Sequence, residues 1–338
     1  MTIKDVAERA GVSISTVSRV LNNHPDVRES VREKVLQVVR DLHYVPNNSA
    51  RDLVRHQPDT IGVVLRGAAN PFLISVFRSV EREVSKAGYN LIAQQIDTCD
   101  DELVVGASLV RSKRLRGLIL LGGEFDYTEE RVADLGVPFV CCTFTGSFGS
   151  LPKSNYSSVS IDDYAEAYQA VKTLIHYGHR RIAVLLGSSS DHSISELRYR
   201  GYCDALQDAG IPLDDALVAQ SGSFEMIDVY KATKRLIYHN CDFTALFTIS
   251  DLMAMAAIKA LHSHGRRVPE DCSVISIDGI EMTRYTVPTL TTLIQPAEEL
   301  GTQAVRILVD VLEGKGTHQH VRLATTLREG ETVAEAPH

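Results

Sequence analysis

Four side chains able to grip a nucleic acid lie within five positions: Ser15, Thr16, Ser18 and Arg19. Hydroxyls can donate and accept at base edges and phosphates, and a guanidinium can hold guanine through two parallel hydrogen bonds. These residues alternate with Ile14, Val17, Val20 and Leu21 at the spacing of one helix face. A solvated face on any small helical domain has the same pattern, so the chemistry depends on the elements around it.

Those elements are two further helices. Thr2 can cap the first, with Asp5 in capping-box register and Ile3, Val6, Ala7 and Ala10 as its apolar stripe; Gly11 ends it in a left-handed turn. Ser13 opens the second helix, and Asn22 and Asn23 close it. A third is predicted to start after Asp26, with Glu29 completing another capping box and Val27, Val31, Val35, Val38 and Leu42 as its stripe. Two short helices across a tight turn form a helix-turn-helix, whose second helix enters the major groove. This headpiece spans residues 1–45.

Residues 46–59, PNNSARDLVRHQPD, form a hinge. Pro46 fixes its start, Asn47 can cap, Ala50, Leu53 and Val54 allow one or two helical turns, and Pro58 stops it. So short a helix is marginal alone in water, so the hinge is expected to order on DNA. Arg51 and Arg55 are available for phosphates.

From residue 60, short apolar runs alternate with helical stretches. TIGVVL, YNLIAQQI, GLILLG and PFVCCT read as buried strands, separated by helices at 71–88, 101–114 and 128–136. IAVLLG, LVAQSG, TALFTIS and CSVISID repeat the pattern, with helices at 162–178, 192–210, 225–239 and 251–265. Such alternation predicts parallel sheets covered on both faces, and two consecutive sets predict two α/β lobes. In open sheets of this kind a ligand sits at the carboxyl ends of the strands.

Composition bounds the function. The chain has 338 residues, 44% hydrophobic and 23% charged, with no apolar stretch long enough to span a membrane. The polar MTIKDVAERA is not a secretory leader, so a cytoplasmic location is expected. Net charge is −8, but residues 1–58 carry nine basic and seven acidic residues against 26 and 36 in the rest. A weakly basic head on an acidic body fits a protein that touches DNA at one end. The six cysteines, at 99, 141, 142, 203, 241 and 272, have neither CxxC nor metal-ligand spacing and read as reduced thiols. No metal or cofactor is expected.

The run TIKDVAERAGVSISTVSRVLNN, continued by VREKVLQVVRDLHYVPNNSARDL, resembles the headpiece and hinge of the lactose-repressor (LacI/GalR) family of bacterial regulators. The body resembles that family's effector domain, which is like the periplasmic sugar-binding proteins. The matching stretches are NPF at 70–72, GHRRIAVLLG at 178–187, RYRGY at 198–202, VPEDCSVISIDGI at 268–280 and VPTLTTLIQP at 287–296. The resemblance implies an all-α headpiece joined to a two-lobed α/β domain over 60–330. Its first lobe would take about 60–158 and 290–318, and its second about 159–289 and 319–330. It implies that Ile14, Ser15 and Thr16 open the recognition helix, that Ser18 and Arg19 follow as phosphate and base contacts, and that the hinge pairs with its dimer mate in the minor groove. Leu53 would wedge into the central base step. Ile14 is apolar and could read only a thymine methyl or shape.

The resemblance also makes strand-end polar residues into effector contacts. Asp278 could accept two sugar hydroxyls, Arg198 offers a planar fork of donors, and Phe72 offers a flat apolar face. Asp251 could contact ligand or merely cap its helix. The segment HSIS at 192–195 matches some members of the family and adds His192. There are departures: Ser250-Asp251 stands where many members have Asn-Asp, and Asp278-Gly279 where many have Asp-Asp or Asp-Asn. These leave the ligand's identity open. A sugar is expected; a purine or nucleoside, stacked between Phe72 and Phe224, is the alternative.

An enzyme is the first rival, but GxSxG, Walker A and GxGxxG motifs are all missing. A secreted sugar-binding protein is the second, against which the headpiece stands. LREGETVAEAPH has no leucine heptads for a tetramerising coil, so a homodimer on a pseudo-palindromic operator is expected.

Overall fold

The computed structural model describes residues 2–21, 24–42, 44, 60–67, 69–98, 100–187, 192–239 and 242–337. The chain divides into two compact units, Met1–Pro58 and Asp59–His338.

In the first unit, α1 (Ile3–Ala10) starts where the Asp5 carboxylate accepts from the Thr2 N–H at 2.7 Å. It stops at Gly11, whose φ of 65° is open to glycine at little steric cost. Val12 N–H then closes onto Ala7 O at 3.0 Å, which sets the tight turn into α2 (Ile14–Leu21). The third helix, α3 (Glu29–Asp41), begins later than expected. Arg28 is its capping residue and supplies no side-chain acceptor, and the Glu29 carboxylate faces Arg32 at 3.5 Å, so the Asp26–Glu29 box does not form. Val6, Ala7, Ala10, Val17, Val20 and Val35 form the core, with Val27, Val31, Val38 and Leu42 on its rim.

The second unit holds two six-stranded sheets. The first has the order β11-β5-β4-β3-β1-β2: β1 (Thr60–Arg66), β2 (Asn90–Ile96), β3 (Gly117–Leu121), β4 (Phe139–Cys142), β5 (Ser157–Ser160) and β11 (His320–Arg322). All its neighbours are parallel. The second has the order β12-β10-β9-β8-β6-β7: β6 (Ile182–Leu186), β7 (Val218–Gln220), β8 (Ala245–Thr248), β9 (Ser273–Asp278), β10 (Thr291–Ile294) and β12 (Thr326–Arg328). Only β12 runs antiparallel there. Strand pleating explains the apolar runs: Ile61, Val63 and Leu65 face one core of the first lobe, and Val64 faces the other.

Helices cover both faces. The first lobe has α4 (Pro71–Lys86), α5 (Glu102–Lys113), α6 (Glu129–Val132) and α11 (Ala297–Leu312); the second has α7 (Asp163–His176), α8 (Ile194–Asp208), α9 (Met226–His239) and α10 (Asp251–Ser263). No described helix is long and apolar enough to cross a membrane.

Four strands escaped the sequence reading. SSVS of β5 looks like a loop, yet all four residues are buried, because Ser157 and Ser158 hydroxyls meet His318 Nδ1 at 3.0 Å and His320 Nδ1 at 2.8 Å. The others, β10 to β12, have only three or four residues each. Missing β10 moved a lobe boundary. It pairs with β9, so the chain returns to the first lobe after Ile294, not near 290, and it crosses again after Arg322. The tail runs past 330 along the second lobe: Val274 N–H donates to Thr332 O at 2.7 Å, and Ala336 N–H to Tyr177 O at 2.8 Å.

Candidate nucleic-acid interface and effector cleft

In the headpiece, Val17 and Val20 anchor α2 in the core and turn its other face outward. Ile14, Ser15 and Arg19 are exposed on that face, with Thr16 and Ser18 half-buried beside them. Ser13 ties the start of the helix together. Its Oγ accepts from Thr16 N–H at 3.2 Å and lies 2.7 Å from Ser15 Oγ and 2.8 Å from Thr16 Oγ1. Thr2 is exposed at the start of α1. The hinge candidates Asn47, Ala50, Arg51, Leu53 and Arg55 lie outside the described residues.

In the body, a cleft of about 300 Å³ opens between the lobes. It lies beyond the carboxyl ends of the parallel strands, where the chain leaves a sheet and new side chains can be presented without breaking the ladder. Arg66 ends β1, Thr143 follows β4, Ile249 follows β8 and Asp278 ends β9, and all four line the cleft. Phe72, Arg198, Phe224 and Ser250 also line it. Phe72 is only 5% exposed, however, so its ring belongs mainly to the first lobe's core.

Arg198 is 1% exposed, and its charge is answered within its own lobe. Nε and Nη2 donate to Asp163 Oδ1 at 3.1 and 2.8 Å, and Nη1 donates to Ile249 O. Three of its five N–H groups are thus committed, and two are left for a ligand. Burial pushes the Asp163 carboxyl up, and Arg198 pulls it back down.

Asp278 is 4% exposed and sits at φ 142°, a strained backbone for a residue with a Cβ, at a position where a ligand would be clamped. Oδ1 accepts from Gln295 Nε2 at 2.8 Å and Oδ2 from Asn70 Nδ2 at 3.2 Å. Burial pushes its carboxyl up to about 7; Arg198 works against that, and Asp251 adds to it.

Two expected contacts do not reach the cleft. Asp251 is wholly buried; Oδ1 accepts from Ser276 and, at 2.6 Å, from Thr292 Oγ1, while Oδ2 accepts from Ile280 N–H at 2.9 Å and Thr283 Oγ1 at 3.2 Å. Four protein donors fill its lone pairs, so it braces the loop that presents Asp278. The cap of α10 is Ser250, whose Oγ accepts from Met253 N–H at 3.4 Å. His192 points outward and stacks on Phe148, with ring centroids 5.1 Å apart.

Other lining residues were missed. Asn70 and Gln295 hold Asp278, and Arg66, Thr98, Thr143 and Ser223 add polar groups. Asn70 was within sight in NPF, where a helix-capping amide precedes proline. Arg66 lies 3.7 Å from Glu102 Oε2 and 3.5 Å from Glu124 Oε1. Glu102 is itself wholly buried, accepting from Glu124 N–H at 2.8 Å and Tyr127 Oη at 2.7 Å. Among the described residues no His, Cys, Asp and Glu cluster could hold a metal ion.

Comparison with known proteins gives the same two-part division. Residues 2–47 match the model for bacterial regulatory proteins of the lacI family, and 171–333 match that for a periplasmic binding protein-like domain. The chain is 39% identical to the HTH-type transcriptional regulator MalR of Clostridium butyricum, over 98% of this chain and 99% of that one. It is 34% identical to the HTH-type transcriptional repressor PurR of Erwinia tasmaniensis, over 100% and 98%. Among solved structures it resembles a transcriptional regulator CelR–cellobiose complex, with TM-score 0.73 and 31% identity over 98% and 99%. It also resembles the lac repressor dimer bound to operator and the anti-inducer ONPF, with TM-score 0.81 and 25% identity over 99% of each chain. The chain belongs to the lacI family of bacterial transcriptional regulators.

Proposed function

We propose that this chain is a cytoplasmic repressor, without cofactor or catalytic activity, that binds a pseudo-palindromic operator as a homodimer and is controlled by a neutral sugar of one or two rings. The observation that carries the ligand class is charge compensation in the cleft. Each arginine that lines it is matched by carboxylates of its own lobe: Arg66 by Glu102 and Glu124, Arg198 by Asp163. Among the described residues no cationic surplus is left there to attract a phosphate. What the cleft offers is two guanidinium N–H groups, the amides and carboxylate around Asp278, and the apolar edges of Phe72, Phe125, Phe144 and Phe224. Hydroxyls and C–H faces alternate on a sugar ring and suit such a lining. The near-complete burial of Phe72 weakens the alternative of a purine stacked between Phe72 and Phe224.

Closure on the ligand would shift the first lobe, to which the hinge attaches, and change headpiece spacing. A ligand does this only by preferring one state, with a coupling of about 1–3 kcal/mol. Calorimetric titration of neutral mono- and disaccharides, their phosphates and nucleosides into the full-length chain tests the reading. A neutral sugar is expected to bind and to change operator affinity. Binding by nucleosides alone, or by phosphorylated sugars alone, overturns the ligand assignment.

A further inference from the structure

The second unit is acidic overall, but one segment at the edge of its first lobe reverses the sign. Residues 111–116, RSKRLR, hold four cations in six positions. Arg111 and Lys113 lie in the last turn of α5, and Arg114 turns the chain with φ 52° into β3. All three are exposed, and none is held in an ion pair among the described residues. Nearby cations differ. Lys86 is paired with Glu83 at 2.8 Å and Lys315 with Glu313. Arg116 is spent on Tyr89 Oη and Leu312 O, both at 3.2 Å. Within this segment, the charge without an ion pair among the described residues therefore lies on Arg111, Lys113 and Arg114.

Their location gives the patch a partner. Arg116 N–H donates to Thr60 O at 2.9 Å, so the basic turn is pinned beside the first residue of β1. That residue is where the chain arrives from the DNA-binding unit through the linker 46–59, whose 14 residues reach at most about 50 Å. The DNA-binding unit is thus joined to this lobe beside a cluster of three exposed cations that have no ion pair among the described residues. Long flexible side chains suit phosphates, which need no fixed geometry to be attracted.

We propose that Arg111, Lys113 and Arg114 are a second DNA contact, gripping phosphates that flank the operator without reading sequence. The proposal rests on the DNA-binding reading above and adds to it a surface on the effector domain. It separates two terms of affinity: the headpiece supplies specificity, and this edge supplies salt-sensitive grip that depends on duplex length.

The test uses the full-length chain and a duplex selected from random DNA by that chain. Binding is measured against salt on the trimmed core and on the same core extended by about one helical turn, or roughly 10 base pairs, at each end. Wild type should bind the extended duplex more tightly and with a steeper dependence of log K on log salt. Combined Arg111→Gln, Lys113→Gln and Arg114→Gln should erase that gain and flatten the slope on extended DNA by about 2–5, at roughly 0.9 per lost phosphate contact. The pair Arg111→Gln with Lys113→Gln leaves the left-handed Arg114 in place and should give a partial loss with an unchanged melting temperature. Equal slopes for wild type and variants on the extended duplex, or no gain from extension in wild type, overturn the proposal. Recovery of no DNA by wild type would instead remove the DNA-binding reading beneath it.

Discussion

Asn70 links the two lobes with a single amide: its Oδ1 accepts from Phe72 N–H at 3.0 Å to cap α4, and its Nδ2 donates to Asp278 Oδ2 at 3.2 Å across the cleft. The cap fixes which way the amide faces, so the donor is presented to the other lobe. Asn70→Asp should keep the cap and turn the interlobe hydrogen bond into carboxylate repulsion. Effector affinity should fall at least about tenfold, or 1.4 kcal/mol, and scattering should show a more open effector domain. Unchanged affinity and dimensions would mean the contact does not govern closure.

The raised Asp278 carboxyl predicts a pH response. A carboxyl at about 7 in the fold and near 4 when unfolded holds its proton more tightly in the folded state. Its contribution to stability is therefore full at low pH and is lost as pH rises from about 4 to about 7. Binding of hydroxyls to the ionised form runs the other way: effector affinity should drop by up to tenfold per pH unit below 7. Calorimetry from pH 5 to 8 on wild type and Asp278→Asn checks this. The variant should bind weakly and without that slope.

Asp251→Ala tests bracing against ligand contact. It strands donors from Ser276, Ile280, Thr283 and Thr292 in a buried site. An unsatisfied buried donor costs about 1–3 kcal/mol, and the sites share one network, so a loss of roughly 3–5 kcal/mol is expected rather than their sum. Denaturant melts should show it. A stable variant with lost effector binding would return Asp251 to the ligand.

His179 ties the C-terminal tail to the second lobe. Its Nε2 meets Ala334 O, an acceptor only, at 3.0 Å, so that nitrogen carries the proton and Nδ1 accepts from Thr244 Oγ1 at 2.9 Å. Burial lowers its pKa below the usual 6.5. The unfolded chain then binds more protons, so stability should be retained above pH 6.5 and lost as pH falls through and below it. Denaturant midpoints from pH 7.5 to 5 should fall, and His179→Gln should reduce that fall.

In the hinge, Leu53→Ala should leave the melting temperature and effector binding intact. Operator affinity should drop by about 1–3 kcal/mol, with less DNA bending, because the smaller side chain cannot fill a kinked base step. Fluorescence transfer between duplex ends reports the bend. Wild-type bending by the variant would make Leu53 a linker residue only.

What the sequence determined by itself is local. Helical stripes, the Asp5 and Gly11 caps and the alternation of apolar runs fix elements through contacts a few residues apart, so the headpiece and the two-lobed α/β plan were legible in the order of side chains. Ser250 and Asp278 reach the cleft from strand ends, and Arg198 reaches it from the start of α8. Tertiary structure decided the rest, because it depends on partners far away in the chain. Ser157 and Ser158 form a buried strand only since histidines 161 and 162 residues later satisfy their hydroxyls. Asp251 and Asp278 look equivalent in sequence, each an acidic residue just past a buried strand. The fold surrounds Asp251 with four protein donors and leaves Asp278 facing the cleft with two, one of them from Asn70, 208 residues away. Which carboxylate is left open to a ligand is set by how many lone pairs the folded protein leaves unfilled, and that count exists only once the lobes are assembled.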